Sequence, residues 1–174
     1  MVSNDALLEQ VIKGLAANKT VFQHLLSRLS PEQYSWKPEP SKWCLLEVVC
    51  HLYDEEREDF RTRVKHILEK RSGAFPSIDP QGWVVSRNYL NENYEAKIEL
   101  FLTEREHSVN WLSSLINPAW NNTYQHPTLG TMTAGLLLSN WLAHDYLHFR
   151  QITRLKYEYL KELSGEKLDY AGTW

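Results

Sequence analysis

The stretch Leu136 to Leu155, LLLSNWLAHDYLHFRQITRL, decides the fold. Leu137, Trp141, His144, His148, Gln151 and Leu155 recur at 4-3-4-3-4 spacing, which places them on one face of a helix. Three consecutive seam positions are polar where the pattern calls for Leu or Val. Burying such groups costs ~1–3 kcal/mol each unless they find partners. Two histidines at i and i+4 stand one turn apart, with about 6 Å between their Cβ atoms. Both imidazoles can then reach one divalent ion at about 2.0–2.1 Å. Two ligands make a weak site, so a third must come from another helix.

Working outward, residues 5–29 carry Leu8, Val11, Leu15, Asn18, Phe22, Leu25 and Leu29 at the same helical spacing. Pro31, Pro38 and Pro40 predict an extended connection after them. A second helix is expected from Ser41–Cys44 to about Arg71, with Leu45, Val48, Val49, Leu52, Phe60, Val64 and Ile67 inward. Residues 72–86 read as an irregular loop. A third helix, about 87–116, presents Leu90, Tyr94, Ile98, Phe101, Leu112 and Leu115. NPAWNNTYQHPTLG is a second loop ending at Gly130, and the fourth helix runs from about Thr131 to Leu163, stopped at Ser164-Gly165. The tail EKLDYAGTW is expected to fold back through Tyr170 and Trp174. Nothing alternates with period two, so no sheet is expected. The fold class is all-α: one domain over residues 1–174, a four-helix bundle with long crossover connections.

The composition excludes several classes. The chain has 174 residues, 43% hydrophobic and 24% charged, as in an ordinary globular domain. A net charge of -3 provides no field that draws it to nucleic acid. No apolar run approaches the ~20 residues that span a bilayer. MVSNDALLEQ lacks the basic and apolar regions of a secretory signal, and Cys44 and Cys50, about 9 Å apart if on one helix, lie beyond disulfide reach. The expected location is the cytoplasm.

His51, on helix two, flanks the apolar stripe and can point across the bundle. The other histidines are weaker candidates. His24 lacks a partner one turn away, His66 and His107 sit among charges that read as solvated, and His126 lies in the loop before helix four. The competing reading of all the seam histidines is a hydrogen-bonded polar core. Glu56 and Arg63 also fall near the centre of the stripe. They are either a buried pair or, for Glu56, a carboxylate that orients a ligating histidine, a role for which Glu55 and Glu58 compete. There is no Gly-rich phosphate loop, no GxSxG, no CxxC and no HExxH, nor the two ExxH motifs that di-iron bundles pair.

SKWCLLEVVCHLYDEE resembles the WSxxExxxHLxDxE stretch of the DinB-like (damage-inducible) proteins, and HPTLGTMTAGLLLSNWLAHDYLHFRQI resembles their closing HPxxG…HDxxHxxQI. The resemblance spans nearly the whole chain. It implies a four-helix bundle of crossover topology, a homodimer, and one divalent metal held by three histidines that fall on His51, His144 and His148. One departure is Cys44, where the family has the Ser of a capping box; losing that half costs of order 1 kcal/mol. The family's characterised members include bacillithiol S-transferases and mycothiol-dependent maleylpyruvate isomerases. The resemblance therefore implies activation of a low-molecular-weight thiol or a water toward a small electrophile; the aromatics Trp83, Trp120 and Tyr124 either flank its entry or are ordinary loop packing. The alternative is a metal-binding stress or structural protein without turnover. Three imidazoles suit zinc, nickel or iron alike, so the sequence does not name the metal.

Overall fold

The computed structural model describes residues 4–172, so Trp174 lies outside the described residues. Four long helical stretches form the bundle: α1 (Asn4–Leu26), α3 (Leu45–Asp54) running into α4 (Arg61–Leu68), α6 (Tyr94–Ser114) and α7 (Ala134–Ser164). A π-helical turn, Glu55–Phe60, joins α3 to α4. Helix α1 packs against α6 and α7, and α3–α4 packs against the same two. Helix α1 therefore stands across the bundle from α3–α4, and α6 from α7, while α3–α4 and α6 are neighbours; the connections between the diagonal pairs must cross the ends of the bundle. That is why they are long.

The connections carry more structure than the sequence predicts. Pro31 opens a short helix, α2 (Pro31–Ser35), behind the N-cap Ser30, and Pro80 opens α5 (Pro80–Ser86) behind the N-cap Asp79. Proline is well tolerated at the first helical position, where its missing N–H is not needed. The loop before α7 is also not irregular throughout. Thr123–His126 (β1) and Gly130–Thr133 (β2) pair antiparallel, with His126 opposite Gly130. His126 Nδ1 accepts the Thr128 and Leu129 N–H groups at 3.2 Å and so fixes the turn. Helix α6 starts later than expected: Asn93 caps it, Asn88 is left-handed at φ 53°, and Leu90 is exposed. The tail does not fold back through Tyr170, which lies fully in solvent. At the start of α3, Glu47 Oε2 accepts the Cys44 N–H at 2.8 Å and the Cys44 side chain faces the Glu47 N–H. The capping box thus survives, with sulfur, a weak acceptor, in place of a hydroxyl.

The apolar core falls into two clusters. Phe22, Leu26, Val49, Leu52, Phe101 and Ile152 belong to one, and Leu8, Leu15, Val64, Leu112, Leu138 and Trp141 to the other. Between them each of the four long helical stretches contributes buried polar groups: Asn18, Glu56, Arg105, Ser108 and Asp145. Arg105 centres this layer. Its Nε and Nη2 donate to Glu56 at 2.9 and 3.0 Å, and its Nη1 and Nη2 donate to Asp145 at 2.6 and 2.7 Å. Asn18 donates to Asp145, and Trp141 Nε1 donates to Glu56, each at 2.9 Å. Burial alone would lower the Arg105 pKa, but Glu56 and Asp145 more than offset it and hold the guanidinium charged.

Arg105→Ala would leave two carboxylates buried without their cation, and such losses cost about 3–5 kcal/mol. Chemical denaturation should show a fall of that size; a loss below about 1 kcal/mol would mean that the layer is replaceable by water.

Candidate metal centre

His51 comes from the last turns of α3, and His144 and His148 from the middle of α7. Helical spacing stacks the α7 pair on one face, and α3 brings His51 to meet it. One ligand atom from each ring lies within 4.8 Å of the other two. His144 Nε2 and His148 Nε2 are 2.9 Å apart. Bonds of 2.0–2.1 Å at tetrahedral angles would separate ligand nitrogens by about 3.4 Å, so holding a small ion requires the His144–His148 pair to open by about 0.5 Å. His51 Nδ1 and His148 Nδ1 are buried without a hydrogen-bond partner. Buried imidazole nitrogens left unpaired are costly in a polar core, and metal coordination together with its outer hydrogen bonds is one way to use them. Among the described residues, no fourth His, Cys, Asp or Glu joins the group.

The surroundings keep the rings neutral, as metal ligation requires. Burial pushes His51 down from 6.5 to about 3, with His148 adding to the effect, and burial pushes His148 down to about 4. His144 lies well below 6.5, again chiefly through burial. Trp43 covers His51 at a ring separation of 4.9 Å, and Phe60 covers His144 at 4.9 Å. Glu55, on the first residue of the π turn, places Oε2 3.9 Å from His144 Nε2. Burial, then the neighbouring Asp59 carboxylate, pushes Glu55 up to about 8.

The matching family model is that of the DinB superfamily, over residues 15–152. The chain belongs to the DinB superfamily. A solved structure similar to it is that of YfiT from Bacillus subtilis, described as a probable metal-dependent hydrolase with an unusual four-helix bundle topology. The match has a TM-score of 0.78 at 18% identity and covers 96% of this chain and 92% of that one. Among curated proteins, none matches this chain.

The acidic residues of the two DinB motifs sort by what they touch. Asp145 and Glu56 hold Arg105; Glu56 contacts no ligating histidine but carries Trp141, which stacks on Phe60. Asp54 accepts from the Tyr89 hydroxyl at 2.6 Å and pairs with Arg87 at 2.9 Å, tying the long connection to α3. Arg63 does not meet Glu56 but pairs with Asp59 at 2.7 Å. His66 is buried rather than solvated, edge-on to Phe75 and Tyr124. Trp83, Trp120 and Tyr124 serve packing: the first two are buried, and Tyr124 stacks on Phe75 at 3.8 Å. The aromatic rings beside the histidines are instead Trp43 and Phe60; Glu55, one of the carboxylates that competed to orient a histidine, is the one beside His144, and Arg105 is the residue that spacing alone did not single out. Arg105 had a signal. The α6 seam breaks between Phe101 and Leu112, and the missing steps are Arg105 and Ser108.

These shifts predict a pH response in the metal-free protein. The unfolded chain protonates its histidines below 6.5 while the folded rings refuse protons, so the histidines cost stability as pH falls from 6.5 toward 3–4. Glu55 has the opposite sign: its folded pKa lies above the unfolded 4.5, so its contribution is lost as pH rises toward about 8. Denaturation midpoints of chelator-treated protein should fall on the acid side less steeply in His148→Leu. Above pH 6.5 the alkaline decline should flatten in Glu55→Gln. Parallel profiles for wild type and both variants would contradict the burial of these groups.

Proposed function

We propose that this chain is a metal-dependent enzyme of the hydrolase or thiol S-transferase type, with His51, His144 and His148 holding one divalent ion. The observation that carries the reading is a triangle of three neutral imidazoles, two buried and one partly exposed, with no fourth protein ligand among the described residues. Structural sites are closed by four protein ligands, whereas catalytic ones keep a position open. His51, His144 and His148 would hold the ion, which would lower the pKa of a water or thiol at its open position and supply a nucleophile at neutral pH. The description of YfiT as a probable metal-dependent hydrolase supports the same reading.

The chain's own residues supply the rest. Trp43 and Phe60 flank the rings and exclude water from two sides. Glu55 Oε2, beside His144, holds a proton that it exchanges close to neutrality, because burial and Asp59 push it up to about 8. A carboxyl so tuned suits general acid–base work on a small electrophile. The Glu56–Arg105–Asp145 layer lies outside the chemistry and fixes the helices that carry it.

Elemental analysis of protein never exposed to a nickel column tests the ligand set. Wild type should hold about one divalent ion per chain, and His144→Ala/His148→Ala almost none. Glu55→Gln should retain the metal but lose about 10²–10⁴-fold in turnover once a substrate is found. Absence of stoichiometric metal after zinc and nickel supplementation would leave the histidines as polar core residues and end the proposal.

A further inference from the structure

Resting on that reading, we propose that the groove beside His148 accepts a small organic anion, its carboxylate held by Arg150 and Arg154. The groove encloses about 590 Å³ along one flank of α7 and is lined by Leu147, His148, Arg150, Gln151 and Arg154. His148 sits at its inner end and is itself buried. Gln151 and Arg154 also line a larger cleft of about 870 Å³, in which Trp36 and Trp43 form an aromatic wall. Trp43 covers His51 and separates this cleft from the three-histidine group; of the two, only the groove beside His148 touches it.

Charge decides what fits. The groove beside His148 is lined by two arginines and no acid. The outer cleft balances Glu39, Glu158, Glu162 and Glu166 against Lys42, Arg154, Lys161 and Lys167, so it selects no sign. Among the described residues no ion pair engages Arg150. Arg154 pairs only with Glu158 on the surface, at 2.7 Å, a contact that solvent weakens. Arg154 lies about 9 Å along the helix axis from His148, so a molecule one aromatic ring long can reach the ion at one end and the guanidinium at the other. Guanidinium groups bind carboxylates in bidentate fashion with a directionality that lysine lacks.

The test compares two thiols of the same shape, 4-mercaptobenzoate and 4-mercaptobenzamide, titrated into cobalt(II)-loaded protein. The visible cobalt bands report whether the thiol reaches the ion, and calorimetry gives the affinity. The benzoate should bind at least about tenfold more tightly, as a charge-assisted hydrogen bond implies. In Arg150→Gln/Arg154→Gln that ratio should fall to about one while the benzamide affinity and cobalt content stay unchanged. Equal affinities in the wild type, or a ratio that survives in the variant, would overturn the anion groove alone. Cobalt bands unmoved by either thiol would instead refute the open coordination position, and this inference with it.

Discussion

A guanidinium sealed in the middle of a bundle constrains everything around it. Arg105 donates to Glu56, Asp145 and, at 3.4 Å, the Leu15 carbonyl, so α1, the π turn, α6 and α7 meet at one cation. An unpaired ion there would be very expensive, and the pairing is tolerable only because all five N–H donors are directed at acceptors. The layer therefore dictates register: a helix that slid by a turn would strand a charge. Asp145 follows His144 directly, so the register that satisfies Arg105 is also the one that turns His144 and His148 toward His51. Apolar packing above and below supplies most of the stability, and the polar layer selects which of the possible packings forms.

The π turn explains where simple periodicity misled. From Leu45 to Asp54 the apolar count runs at the α-helical angle, and Val48, Val49 and Leu52 are inward as expected. A π turn holds one more residue per hydrogen-bonded ring, so the angular count drifts through it, although Val64 and Ile67 beyond it are inward as expected. Extrapolated across it, the spacing put Glu56 and Arg63 on one stripe, while His66 read as solvated because of its charged neighbours. In the fold Glu56 enters the polar layer, Arg63 pairs with Asp59, and His66 is buried. The same turn gives two successive glutamates different neighbours: Glu55 meets His144 and Glu56 meets Arg105.

The four long helices and the three histidines were legible because helical spacing is a strong signal over twenty or more residues. Polar residues on such a seam stand out by violating it. The hairpin β1–β2 was not legible, because strands of four residues show too few alternations to count. Short helices α2 and α5 were hidden behind prolines that read equally as breakers or as first-turn residues. Arg105 was hidden differently: charge on α6 looked like solvent, and only its position in the gap of a seam marks it as buried.

The central claim is that the layer built on Arg105 presents three imidazoles to one ion. Crystallography of zinc-loaded protein with anomalous data at the zinc edge tests it most directly. The account predicts one anomalous peak bonded to His51, His144 and His148 at about 2.0–2.1 Å, with Arg105 still spanning Glu56 and Asp145. A peak held by other residues, or three histidines closed on one another with no ion at saturating zinc, would contradict it.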